Sequence, residues 1–552
     1  MRRHLEYPVE PMYAAIYRQM SLHADRAALT FYGKQVSYRE LGELSDRFAA
    51  ALVRRFGIRK GDRVGIMLPN CPQNVIAVLG AQRAGAIPVE FNPMYVPREI
   101  EHQAKDSGCK VMLTLDLFWP KVLEAGQIEH YIVTSVKDYL PFPLNLLYNL
   151  KAKAPKVPPN LAVRWADFMR EPAGDFKPAA VEPQEDAAVL IYTGGTTGVS
   201  KGVMLTHYNL CANIMQTQEW AQRGEGRHET VVVVLPMFHS FGFTVSCMQS
   251  LASGATCILV PKFDAKELLK IVDKYHPTSL PGVPTIYTAL LHDPDFPKHD
   301  LTSIEYCVSG AAPLPVELLQ KFESASGSKI LEGYGLSETS PVTHCNPMHG
   351  ERVPGSVGLP YPDTEVRVVD LTTGADVELG HEGEILLKGP QVMKGYWNRP
   401  QETTDTFVDG WLRTGDIGKQ DEDGYLYLVD RMKDMVLSGG FNVYPREIDE
   451  VLYQHPAVLE ACSVGIPDQY RGESVKSFVV LKPEGQATDQ ELLAFCKERL
   501  AAYKRPLMVE FLPELPKSAV GKVLRRVLAA QEREKFNRGL ETELYSQPAN
   551  HD

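Results

Sequence analysis

The chain has 552 residues, a formal net charge of −11, 44% hydrophobic and 23% charged residues. That length exceeds one hydrophobic core and implies two or more domains, while the mildly acidic balance argues against a nucleic-acid footprint. The nine cysteines form no C-x-x-C pair, which argues against a zinc site or a disulfide framework and points to a reducing compartment.

In chain order, residues 1–135 read as α/β. Residues 27–32 are strand-like, with Gly33 and Lys34 as a turn. Residues 38–56 carry Leu41, Leu44, Phe48, Leu52 and Val53 at helical spacing. Residues 62–68 read as a buried strand, 74–84 as a helix ended by Gly85, and 87–91 and 111–114 as further strands. Alternation of this kind implies a parallel sheet with crossover helices. The start has no secretory apolar segment. No apolar run is long enough to span a bilayer. A cytoplasmic location is expected. Residues 139–159, rich in leucine, proline and lysine, break the pattern. They read as a loop packed on the body or on a partner subunit, with contact at a membrane surface as the alternative; the prolines argue against a surface helix.

Residues 187–191 read as a buried strand, and 203–205 as another. Between them runs I-Y-T-G-G-T-T-G-V-S-K-G, residues 191–202. Glycines let backbone approach a ligand closely, and successive N–H groups with hydroxyls and a lysine make an anion site. The loop is not a Walker P-loop, because no Gly-Lys is followed by Ser or Thr at the required place. Gly198 to Gly202 is formally G-x-S-x-G, but a nucleophile elbow needs a helix next. A plain glycine-rich hairpin is the competing reading.

Residues 230–235 read as a strand running into the aromatic-rich stretch 236–243, which surrounds His239. Ligands bind at such strand ends in open α/β sheets. Residues 254–260 and 279–283 read as strands; 305–312 is a strand entering a small-residue turn, and 330–339 a strand entering a glycine turn with an acid. From about 364, short alternating strands at 366–369, 383–387 and 425–429 suggest a small antiparallel or barrel-like unit. Residues 430–434 look like a charged linker. Beyond them a helix at 445–454, strands at 461–465 and 475–481, and a helix at 488–500 capped by Thr488 and Glu491 suggest a separate α+β domain.

Six stretches taken together, 192–202, 333–339, 410–416, 430–434, 438–445 and 516–522, resemble in order and spacing the adenylate-forming superfamily of acyl-CoA synthetases, nonribosomal-peptide adenylation domains and luciferases. The resemblance covers roughly residues 25–530 and implies an α/β fold. A large N-terminal domain, 1–432, would combine parallel-sheet α/β subdomains with a β-barrel-like subdomain at about 364–430. A small mobile α+β domain, 433–552, would turn about a hinge near Lys433. The implied chemistry has two halves: a carboxylate attacks the α-phosphorus of ATP, giving acyl-adenylate and pyrophosphate, and a thiol then displaces AMP. Such chemistry asks the protein for positioning and charge stabilisation rather than a nucleophile.

The resemblance also implies roles. Thr193, Gly194, Gly195, Thr196, Thr197, Gly198 and Lys201 would cradle the β- and γ-phosphates. Glu338 would hold Mg²⁺, as a hard carboxylate oxygen suits, with Thr193 assisting. Tyr334, between Gly333 and Gly335, would stack on adenine, with Gly310, Ala311 and Ala312 as the other wall. Ser337 or Thr339 would bond the α-phosphate. Asp416 would bind the ribose hydroxyls, with Arg431 on the same sugar. Lys522 would bridge substrate carboxylate and α-phosphate during adenylation. His239, Phe241 and Gly242 would border the acyl pocket, and Gly439 and Gly440 would line the thiol channel in the second conformation.

Residues 409–434 and the phrase at 438–445 resemble fatty acyl-CoA synthetases, and the N-terminal region and residues 140–147 also look like bacterial long-chain fatty acid–CoA ligases. Leu437 departs from the lysine common in coumarate-type ligases and luciferases. Phe238, Phe241, Phe243 and Val245 would suit an apolar tunnel. The expected substrates are a fatty acid, ATP and CoA, with no nucleic acid. A medium-chain or aryl acid, or transfer to a separate carrier protein, is the alternative. Peripheral membrane contact and a homodimer are left open.

Overall fold

The computed structural model of the chain describes residues 2–126, 128–151, 155, 157–193, 200–222, 227–468, 470–519 and 521–537. Helix Tyr38–Phe56 starts at a reciprocal cap, Ser37 Oγ accepting from Glu40 N while the Glu40 carboxylate accepts from Ser37 N. It ends at Gly57 with φ +64°, a conformation glycine adopts without Cβ strain. Leu41, Phe48 and Leu52 of its stripe are buried, but Val53 is 39% exposed. The next helix, Pro72–Arg83, begins two residues before the apolar pattern does, with Pro72 in its first turn, where a missing N–H costs nothing. It is buried along its length. Gly80 permits that, since a Cβ there would lie 2.8 Å from the Phe48 ring and the Ser45 carbonyl.

These helices flank an eight-stranded sheet, ordered Gly395–Tyr396, Lys201–Thr206, Ala187–Thr193, Ile87–Glu90, Arg63–Met67, Cys109–Leu115, His130–Thr134 and Val163–Arg164. From Ala187–Thr193 to Val163–Arg164 every pairing is parallel, and the other two strands are antiparallel additions at one edge. The strand after the glycine loop is therefore a hairpin return, which excludes the strand–elbow–helix geometry of a serine nucleophile at Ser200. Residues 194–199 of the loop lie outside the described residues.

A second parallel group pairs Thr230–Val233 with Thr256–Leu259 and that with Ala27–Phe31. A third pairs Tyr306–Ser309 with Lys329–Gly335, which turns back through Val342–Cys345. The expected strand at 279–283 is only a seam of single bridges, Ser279 to Val231 and Tyr306, and Gly282 to Ser309. Pro281 lacks the N–H a ladder needs. The stretch expected to be a loop at 139–159 contains a short helix, Leu144–Lys151. Its prolines lie outside it, at 141 and 143 before and 155, 158 and 159 after, so they bound the helix rather than break it.

The region from 364 is a five-stranded antiparallel sheet of Glu365–Val369, Gly383–Lys388, Trp411–Gln420, Phe407–Val408 and Leu426–Arg431, a half-barrel. Between its strands, Gly395–Tyr396 reaches back to pair with Met204 and Val203. Residues from Val436 build another sheet with their own apolar cores. Its helix Asp489–Arg499 carries the expected Thr488–Glu491 capping box. No helix among the described residues is long and apolar enough to cross a membrane.

Candidate active site

The cleft of interest, about 290 Å³, lies between the third strand group, the half-barrel and the C-terminal residues. Its walls include Ala311, Ala312, Gly333, Tyr334, Gly335, Asp416, Arg431 and Lys522, which reach it from five separate stretches of sequence. Ala311 is held at φ +65°, a left-handed conformation uncommon for a residue with a side chain. Gly335 is required for a different reason: a Cβ there would collide with the Pro341 carbonyl, where the antiparallel turn closes.

Asp416 and Arg431 are cross-strand partners in the half-barrel, which explains their ion pair, Arg431 Nε to Asp416 Oδ1 at 3.2 Å. The Tyr334 hydroxyl donates to the other oxygen, Oδ2, at 2.8 Å. Burial, then the Asp416 charge, drives the Tyr334 phenol far above its ordinary range, so it stays a donor. Each carboxylate oxygen of Asp416 is oriented by one donor and keeps acceptor capacity, an arrangement suited to a vicinal diol. Tyr334 beside Ala311 and Ala312 offers flat walls for a planar ring.

Lys522 enters from the far end of the sequence on a turn that docks onto the N-terminal residues. The Thr285 hydroxyl donates to the Gly521 carbonyl at 3.3 Å. Gly521 has φ +79°, and a Cβ there would crowd Thr285. Within the turn Lys522 N donates to Ser518 Oγ and Ser518 N to the Lys522 carbonyl. Burial, then repulsion from Arg431, lowers the Lys522 ammonium to about 7, while Asp416 pulls the other way. Burial, then the charge of Lys522, holds His239 down at about 4. His239 is therefore a neutral imidazole at pH 7.

His239 precedes a π-helical stretch, Phe241–Met248, a feature frequent at functional sites. Gly242 is obligatory there, because a Cβ would collide with the Pro236 carbonyl. The Phe241 ring packs on Gly310, whose Cβ would lie 3.2 Å from it. Ser240 and Ser337 share a hydrogen bond at 3.1 Å. Thr339 is fully buried, and its hydroxyl accepts from Leu336 N and donates within the same turn.

Glu338 lies in that turn and accepts from the Tyr396 hydroxyl at 2.9 Å. Desolvation raises its carboxyl above the ordinary range, so a cation beside it would be welcome. Lys201 pairs with Glu402 and lies 5.1 Å from the Tyr396 ring centroid, and it faces Thr193 across the hairpin. Loop residues Gly194, Gly195, Thr196, Thr197 and Gly198 lie outside the described residues. Gly439 and Gly440, at φ +57° and +85°, form an exposed hairpin turn with open space around them.

Tyr396, Glu402 and Thr285 escape sequence reading, because nothing in their local sequence marks them; folding alone brings them in. A second overlooked group is ionic. Arg525 contacts Asp430 at 3.3 Å and Asp449 at 2.6 Å, and Arg446 N donates to Asp430. Burial pushes Asp449 up to about 7 against the pull of Arg525. The charged run at 430–434 signalled a linker but not its partners. Just beyond Asp430, Lys433 occupies a short 3-10 turn, Met432–Asp434, with its side chain exposed.

Comparisons with known proteins agree on one family. The model of the AMP-binding enzyme family matches residues 16–397, and that of the AMP-binding enzyme C-terminal domain matches residues 447–522. The chain is 48% identical over 520 residues to a long-chain-fatty-acid–CoA ligase of Bacillus subtilis (strain 168), covering 92% of each. It is 41% identical over 533 residues to a long-chain-fatty-acid–CoA ligase of Escherichia coli O157:H7, covering 94% of each. Among solved structures, ATP-bound MatB from Rhodopseudomonas palustris superposes with a TM-score of 0.83 at 29% identity, covering 95% of this chain and 99% of that one.

Proposed function

The chain belongs to the AMP-binding enzyme family and is an AMP-forming acid–thiol ligase; from that premise we propose that it activates long-chain fatty acids and that the residues of the cleft carry both half-reactions. A fatty acid carboxylate attacks the α-phosphorus of ATP and pyrophosphate leaves. The thiol of CoA then attacks the acyl carbonyl, and AMP leaves as the acyl-CoA forms. The observation that carries the reading is the delivery of Lys522, from the separate C-terminal unit, to the Tyr334–Asp416–Arg431 cleft.

In this reading Tyr334 and Ala311–Ala312 sandwich the adenine, while Asp416 takes the ribose hydroxyls with Arg431 alongside. Lys522 places its ammonium between the incoming carboxylate and the α-phosphate, where charge develops in the transition state. The ammonium's low pKa reflects a site built for an anion: ATP would restore full protonation. Lys201 and Thr193, at the base of the glycine loop, hold the departing phosphates, and Ser337 donates to the α-phosphate. Neutral His239 bounds the acyl carbonyl side with Phe241 and Gly242.

Mg²⁺ fits at Glu338, a desolvated carboxylate with one oxygen oriented by Tyr396, and Thr193 would assist in holding it. Mg²⁺ is typically held by one or two protein oxygens together with phosphates and water. When bound it would neutralise phosphate charge during transfer.

The units 1–432 and 433–552 are proposed to rotate about Lys433 between the half-reactions, bringing Gly439 and Gly440 to the thiol path. The test is stepwise: ATP-dependent pyrophosphate release that needs a long-chain acid but not CoA, followed by CoA-dependent AMP release. Release of pyrophosphate without any acid requirement would contradict the reading.

A peripheral membrane contact is supported by one surface. Phe142 is 78% exposed and Leu146 59%, at and beside helix Leu144–Lys151, an apolar face of the kind that lies in a lipid interface. Co-sedimentation with phosphatidylglycerol vesicles is expected, and the double change Phe142→Ser, Leu146→Ser should reduce it severalfold. Sedimentation unaffected by that change would remove this helix from the contact.

A further inference from the structure

Behind the cleft lies a second, smaller cavity of about 30 Å³. We infer that it is the distal end of the acyl channel and that Gln249 selects acyl groups whose far end carries a hydrogen-bond-accepting oxygen. The inference rests on the fatty acid reading above.

The position comes from three connections. Val308 and Leu331 line the cavity, and their strands, Tyr306–Ser309 and Lys329–Gly335, run on within a few residues to Ala311 and Tyr334 in the cleft. Val245, also in the wall, lies in the same π-helical stretch as Phe241. Phe241 in turn packs on Gly310. The Phe241–Gly310 contact therefore lies, along this strand, between Val308 of the cavity and Ala311 of the cleft. On this inference an acyl chain held by its carboxylate beneath Lys522 would pass the Phe241 ring and end in the cavity.

The cavity is mostly apolar, with Trp220 and Met348 among its walls. Thr217, Ser250, Ser279, Tyr306 and Tyr361 also reach the wall, but among these described residues Gln249 carries the buried, unpartnered polar atom that points to a ligand. It is 3% exposed and lines the cavity, and its Nε2 is buried with no hydrogen-bond partner among the described residues. An amide left unpaired in an apolar site is costly. A methyl terminus leaves it unpaired. A hydroxyl or carbonyl oxygen at the chain end accepts from Nε2 and satisfies it, and the space admits about two non-hydrogen atoms there. A site built to bond a substrate oxygen discriminates against the analogue lacking it.

The test uses saturated acids of eight to eighteen carbons, each with a methyl end and with a terminal hydroxyl, assayed for pyrophosphate release and CoA thioester formation. The enzymes are wild type, Gln249→Leu and Gln249→Met. At the length that reaches the cavity, the hydroxylated acid should exceed its methyl counterpart in kcat/KM by at least ~10-fold. In both variants the ratio should fall below one. Acids too short to reach the cavity should be handled equally by all three enzymes, which also reports that the variants are folded. A hydroxyl-to-methyl ratio near one at every length, or a preference unchanged in both variants, overturns the inference and leaves the ligase reading standing. Failure of wild type to activate any of the acids overturns the ligase reading, and this inference with it.

Discussion

Lys522 carries the sharpest consequence at the scale of single residues. In the proposed adenylation step its ammonium is the useful form, and burial beside Arg431 lowers its pKa to about 7, so the cation is lost as pH rises through 7. Since kcat/KM reports the free enzyme, kcat/KM for ATP in the adenylation step should decline above pH 7. Lys522→Arg should be slower but should lose that alkaline limb, because a guanidinium stays protonated. A limb that persists in the variant would assign it to another group. The residue-level site was legible in part. Asp416, Tyr334, Glu338 and Lys522 sit in short motifs whose order along the chain is informative. Tyr396 and Thr285 were not, because each contributes through contacts made far along the chain, Tyr396 to Glu338, 58 residues away, and Thr285 to Gly521, 236 residues away. Periodicity and spacing hold no record of such pairs.

At the scale of elements, glycines fix how closely backbones approach the cleft. Gly242 lets the π-helical turn pass over the Pro236 carbonyl, and that turn places both His239 and Phe241. Gly242→Ala should destabilise the protein by roughly 1–3 kcal/mol, as overpacking of a dense interior does, seen as a lowered melting temperature. Acyl-dependent pyrophosphate release should fall with it. Unchanged stability would mean that the turn relaxes freely. Parallel strands and long helices were legible here, since a continuous apolar run or a 3.6-residue stripe reports burial directly. The seam at 279–283 was not, because Leu280 and Val283 are buried as strand residues would be, while Pro281 removes the ladder. Nor was the π-helix, whose apolar residues fit several backbone geometries equally. Helix Leu144–Lys151 was concealed by flanking prolines that delimit it.

At the scale of the whole molecule, the cleft is complete only while the C-terminal unit is docked. Among the contacts that hold it are the Gly521 turn on Thr285, Arg446 on the Leu428 carbonyl, and Arg525 with Arg446 on Asp430, which lies three residues before Lys433. Proline at 433 fixes φ at the proposed hinge. Lys433→Pro should therefore retain acid-dependent pyrophosphate release within a few-fold and fail to form acyl-CoA. Equal loss of both half-reactions would remove Lys433 from that role. The proposed division into units rests on the charged run at 430–434 and the change of strand pattern around it. The docked arrangement was not legible in the sequence, since it depends on surfaces that meet only after both units have folded.

The central claim is that a lysine from the C-terminal unit acts in one half-reaction alone. The direct measurement compares Lys522→Ala with wild type on each half separately: pyrophosphate release from ATP and palmitate, then thioester formation from preformed palmitoyl-adenylate and CoA. Adenylation should fall by at least ~10²-fold, as on removal of one preorganised electrostatic donor, while thioester formation proceeds near the wild-type rate. Adenylation at the wild-type rate, or equal loss in both halves, would contradict the account.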